Sequence, residues 1–226
     1  MLPFAGVYQW VRNDALKITL SRVCALILVV LVGVLYAPYL SSPLVFDDFN
    51  VIKRMDFLDY ALHFSIAPRW LPYATLAHTD ALTSGSIVAM RLGNLLPHAA
   101  TVIAVFVFLR ELVLAVVDRD ASAKDRENHA LIVAFVAAAL FAVHPVAVYG
   151  AGYLIQRTTL MSTLFMLFML IAYLRWLVAG RSALWIWSAI WYLLSVLSKE
   201  PSVMAPVLRC CSRSCYIGRQ HLWPAG

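Results

Sequence analysis

Two adjacent acids, Asp47 and Asp48, stand in the stretch VFDDFNVI, directly after the first long apolar run of the chain. A carboxylate there has two uses. It can act as a general base, held within hydrogen-bond reach of an attacking hydroxyl. It can instead cap the first turn of a following helix, as Asp and Asn commonly do. From the residues alone both readings stay open.

Other polar side chains sit against apolar sequence, where charge is costly and needs a reason. In MRLGNLLPHAA, the spacing of Arg91, Asn94 and His98 puts all three on one helical face. Such a face either pairs with a neighbouring helix or forms the wall of a cavity that opens outward. His144 precedes Pro145, and Gln156 and Arg157 open the next apolar run. His144 suits a helix end. Arg157 either snorkels to lipid phosphate or binds a phosphate of a lipid-linked donor, whose oxygens its guanidinium fork matches. Lys199 and Glu200, before Pro201, are either a surface pair of little energetic weight or part of the same charged site.

What must position these side chains is a membrane bundle. Hydrophobic residues make up 62% of the 226, charged residues 13%, and mean hydropathy is +0.79. A soluble domain of this length carries about 25% charge to cover its surface. The net charge of +6 is modest and the sequence has no dense Lys/Arg run, which suits basic loops against anionic lipid better than a nucleic-acid partner, so no nucleic acid is expected. Cys24 is a small packing residue inside an apolar run. Cys210, Cys211 and Cys215 match no zinc spacing, so no metal site is assigned to them.

A spanning helix needs about 20 mostly apolar residues. Five runs qualify: 23–40, 95–117, 130–149, 158–174 and 183–197. The first is too long for a signal-peptide core and is read as uncleaved. Arg12, Lys17 and Arg22 flank it, Arg119, Lys124 and Arg126 follow the second run, and Arg175 and Arg181 follow the fourth. The positive-inside rule then puts the N-terminus in the cytoplasm. With that orientation Asp47, Asp48, His144, Arg157, Lys199 and Glu200 all fall on the outer face. In the first outer loop, Val51, Ile52, Met55, Leu58 and Leu62 repeat at helical spacing opposite charged residues, which predicts an interfacial helix. The expected fold is all-α, a polytopic membrane helix bundle of about five transmembrane helices plus that interfacial helix. Residues 1–22 form a cytoplasmic segment, 23–208 the membrane domain and 209–226 an atypical tail.

Four segments occur in order: FDDFNVI after the first span, MRLGNLLPHA at the second, HPVAVYGAGYLIQR between the third and fourth, and LSKEPSVMAP after the fifth. The set, over about residues 20 to 207, resembles membrane glycosyltransferases of the C-type (GT-C) fold. The nearest likeness is to the membrane half of the transmembrane and tetratricopeptide-repeat O-mannosyltransferase-like family and its bacterial relatives. The resemblance implies transfer of a sugar from a polyprenyl-phosphate-linked donor to a hydroxyl of a protein or glycan acceptor, in a membrane of the bacterial inner type. It implies Asp47 and Asp48 as the catalytic acids. It implies Arg91, Asn94, His98, His144, Gln156, Arg157, Lys199 and Glu200 as substrate-binding residues. Relatives often carry an acid or glutamine shortly after the histidine-proline, whereas this chain has Ala147, Val148 and Tyr149.

The cofactor is left unassigned. A divalent cation on the acidic pair is compatible with the sequence but not required by it, since two acids are a thin ligand set. Two rival readings accompany the enzyme. The tail RCCSRSCYIGRQHLWPAG lacks helical periodicity and the family continues with further spans, which suits an inactive truncated fragment or scaffold. A transporter subunit is the weaker rival, because proton and ion relays place ionisable groups at mid-membrane and the later spans have nearly none there.

Overall fold

The computed structural model describes residues 4–44, 47–49, 60, 62–116 and 122–208, with side chains from Ile18 onward. The described residues are helical, without strands: α1 Phe4–Tyr36, α2 Trp70–Thr83, α3 Ile87–Val116, α4 Ala123–Val143, α5 Pro145–Gly152, α6 Arg157–Ala179 and α7 Ser182–Ser198. Short 3-10 turns cover Ala37–Tyr39, Leu154–Gln156 and Glu200–Met204. The expected interfacial helix and the 209–226 tail lie outside the described residues. The chain is an all-α bundle and an integral membrane protein. Four helical segments are long and apolar enough to cross a bilayer: Ile18–Tyr39, Ile87–Val116, Ala123–Val143 and Leu154–Ala179. The fifth expected span, α7, has 17 residues, at the lower limit for crossing.

The first helix starts at Phe4 rather than 23, and two further boundaries and one added helix differ from the sequence expectation. The second span begins at Ile87 rather than 95, because Arg91 and Asn94 are buried with partners and therefore tolerate the helix. The third breaks at His144. A residue before proline is driven out of the helical region, and His144 sits at φ −64°, ψ 129°. Pro145 then starts α5, where its missing N–H costs nothing. Helix α2 falls in the first outer loop and, at 14 residues, is too short to read from the sequence as a span. Left-handed residues bound it, Arg69 (φ 66°) before and Ser84 (φ 52°) after.

The helices alternate in direction, so the N-terminal ends of α3 and α6 and the C-terminal ends of α1, α4 and α7 share one end of the bundle. Helix α3 packs on α1, α4 and α6, and α6 packs on α7. Ala130, Ala134, Ala138 and Ala142 form a fully buried stripe on α4. Three of them pack with Leu28, Val32 and Tyr36 of α1 and with Val102 and Phe106 of α3. Small residues let membrane helices approach closely where no hydrophobic force separates helix from lipid. Serines tie α7 to α6: Ser188 Oγ donates to the Met169 carbonyl at 3.0 Å and Ser195 Oγ to the Ser162 carbonyl at 2.8 Å. Helix α6 is the central element, with 56% of its apolar window buried against 11% for α1.

Candidate functional site

At the shared end, Arg157 opens α6 and is 3% exposed. Its Nε donates to Asn94 Oδ1 at 2.8 Å, its Nη2 to the Met90 carbonyl at 2.8 Å, and its Nη1 to Thr79 Oγ1 at 3.2 Å. A buried guanidinium must be satisfied in this way. Asn94 in turn donates Nδ2 to the Tyr153 carbonyl at 2.7 Å. Arg157 thus joins α2, α3 and α6, and its charge is spent inside the protein rather than presented to a phosphate. Of its two sequence readings, neither snorkelling nor phosphate binding describes it.

The acidic pair divides. Asp47 is exposed, whereas Asp48 is 0% exposed. Asp48 Oδ2 accepts the Leu154 N–H at 2.9 Å and Oδ1 the Ile155 N–H at 3.0 Å. These are orphan donors at the start of the turn leading into α6, which a carboxylate satisfies well. Asp48 is therefore a cap, but for a helix 106 residues away rather than for its own segment, where 47–49 are already helical. Burial pushes its carboxyl above the usual range. The two backbone donors and the nearby Arg91 pull it back, and Asp47 pushes it up. Arg91 holds the same junction together: it donates to the carbonyls of Tyr39 at 3.1 Å, Pro43 at 2.7 Å and Gly152 at 3.3 Å.

The accessible chemistry is one turn further along α6. A cavity of about 400 Å³ is lined by His98, Thr101, His144, Tyr149, Gln156, Thr159, Thr163 and Lys199, together with apolar neighbours. Lys199 Nζ donates to Thr159 Oγ1 at 2.6 Å and reaches Gln156 Oε1 at 3.5 Å. Burial, with the Arg69 charge adding to it, holds the Lys199 amine below its usual range, while Glu200 opposes the shift. His98, 1% exposed, packs edge-on to Tyr36 at 5.1 Å and leaves its Nε2 buried without a hydrogen-bond partner. His144 is exposed and its Nδ1 accepts the Val146 N–H at 3.2 Å, capping α5 as the sequence allowed. With Nδ1 accepting, the neutral ring carries its proton on Nε2. A second cavity of about 520 Å³ shares Thr159, Thr163 and Lys199 and runs along Met166, Pro201, Met204 and Leu208.

Glu200 is not in that cavity. It pairs with Arg69 at 3.0 Å, both side chains being about half exposed. Arg69 also donates its backbone N–H to the Leu197 carbonyl at 2.7 Å, docking the start of α2 on the end of α7. The structure therefore gathers Gln156, His98, His144 and Lys199 around one cavity. It gathers Asp48, Arg91, Asn94 and Arg157 in a buried tie beneath it. Sequence reading missed Thr79, Thr159 and Arg69. Thr159 alone carried a signal, three residues after Gln156 on the same face. Among the described residues no three of His, Cys, Asp or Glu converge as a metal site. The chain matches no family model, no curated protein and no solved structure.

Proposed function

We propose that the chain is the membrane core of a GT-C-type glycosyltransferase, moving a sugar from a polyprenyl-phosphate donor to an acceptor hydroxyl. The observation that carries the reading is the split of the acidic pair. Asp48 clips its segment to the backbone at residues 154 and 155, directly before Gln156 of the cavity, and leaves Asp47 exposed. Asp47 is the general base: it takes the acceptor proton as the acceptor oxygen attacks the anomeric carbon. The bond from that carbon to the phosphate oxygen breaks, and the charge developing on phosphate falls to Lys199 with the Thr159 hydroxyl beside it. The sugar occupies the polar cavity, the polyprenyl chain the more apolar one, and the phosphate the Lys199 position common to both. On the charge bias of the loops this end faces out of the cytoplasm.

The test is transfer from a radiolabelled polyprenyl-phosphate sugar by purified chain in vesicles. Asp47→Asn should strongly lower transfer at unchanged thermal stability. Full transfer by Asp47→Asn ends the base assignment. A second reading, a membrane scaffold without catalysis, draws on the fact that four of the charged or amide residues at this end are consumed in a buried tie. It predicts binding of no lipid-linked sugar by the wild-type chain, measured by co-purification.

A further inference from the structure

At the opposite end of the bundle a cavity of about 580 Å³ opens between α1, α3 and α4. Its floor is apolar, with Ala25 from α1 and Ile103 and Phe106 from α3. Its rim is cationic, with Arg22 and Arg110 against one acid, Glu127. Arg110 Nη2 is bonded to Glu127, but Arg110 Nε is buried with no hydrogen-bond partner. Arg22 is exposed, and among the described residues it has no hydrogen-bond or ion-pair partner. Two guanidinium groups over an apolar floor, one with an unmet donor, are an incomplete site. Membrane proteins tolerate such a charge near apolar surface only where something pairs with it.

We propose that this cavity holds the phosphodiester headgroup of an anionic phospholipid. Charge complementarity selects a phosphate, since guanidinium forks bind its oxygens bidentately. The surface beyond the rim selects a lipid. Arg22 continues at four-residue spacing into Leu26, Val30 and Val34, which are 63%, 54% and 68% exposed. This stripe runs up α1 from the cavity mouth and offers acyl chains a path toward the bilayer centre. Basic clefts between membrane helices commonly bind such headgroups, and anionic lipids concentrate in the cytoplasmic leaflet, where the loop charges orient this end. The cavity is far from Lys199 and independent of the transferase reading.

Detergent-purified full chain is titrated with phosphatidylglycerol, phosphatidylcholine and glycerol 1-phosphate, with bound ligand counted by native mass spectrometry. The expected result is one retained phosphatidylglycerol per chain, little phosphatidylcholine and no glycerol phosphate. Arg22→Gln should weaken phosphatidylglycerol retention about tenfold, the loss of one charge-assisted contact. Ala25→Phe should block it by filling the floor. Both leave the Arg110–Glu127 pair intact, so folding is preserved, while Arg181→Gln at the same end should change nothing. Equal retention of phosphatidylcholine, binding of glycerol phosphate alone, or an equal loss in Arg181→Gln would each overturn the proposal.

Discussion

Gly93 faces the guanidinium of Arg157 so closely that a Cβ added to Gly93 would lie 2.5 Å from Nη2 and 3.1 Å from Cζ. A side chain tip usually moves aside cheaply, but this one is held at all three nitrogens. Gly93→Ala should therefore displace the arginine from the Met90 carbonyl and Asn94 and destabilise the fold by about 1–3 kcal/mol, the usual cost of an unmet buried polar group. Arg157→Lys should cost at least as much, because an ammonium lacks the planar fork. Thermal unfolding in detergent measures both. A Gly93→Ala melting temperature equal to wild type would mean that Arg157 is not pinned.

The two acids should separate in experiment. Asp48→Asn replaces one acceptor oxygen with a donor facing a backbone N–H. It should lower stability by about 1–3 kcal/mol and transfer with it. Asp47→Asn should lower transfer alone. The pair of melting curves and rates distinguishes them, and matching stability losses would contradict the division of roles.

The pH dependence follows from Lys199. Burial lowers its pKa from the ordinary value of 10.5. A lowered lysine favours its neutral form in the fold, so its stabilising contribution is present above the unfolded value and is lost as pH falls through the folded value. In the proposed transfer the sign is opposite, because a leaving phosphate is stabilised by the cation. Transfer should therefore decline on an alkaline limb that begins below the ordinary lysine range. Lys199→Arg should push that limb upward, and a limb unmoved by the substitution would detach Lys199 from the leaving group.

Glu200→Gln should be mild. Its ion pair with Arg69 is half exposed, and such pairs contribute about 0–1 kcal/mol. Both melting temperature and transfer should stay near wild type. A large loss of transfer at full stability would restore Glu200 to the substrate.

The membrane class, the order of the long helices and the gathering of Asp48, His144, Arg157 and Lys199 at one end were legible because they follow from apolar run length and chain alternation. Which of these residues face a cavity was not. Arg157 keeps its positive charge and Asp48 its negative one whether each meets a ligand or a buried backbone group, a carbonyl for Arg157 and N–H groups for Asp48, and only packing decides. Helix α2 was not legible because, at 14 residues, it is too short to read as a span, yet its Thr79 completes the seat of Arg157. The break at His144 was foreshadowed by Pro145, and its cap geometry needed the backbone.

The clasp between Asp48 and residues 154–155 has a consequence for biogenesis. The acidic segment leaves the ribosome about a hundred residues ahead of its acceptor turn, and two spanning helices, α3 and α4, are made between them before the clasp can close. Contacts of such long sequence separation form late. During synthesis the acids wait without partners while the bundle accumulates around α3. The end of the protein that holds the buried tie is then the last part to be assembled, and arrest of translation before residue 154 leaves it open.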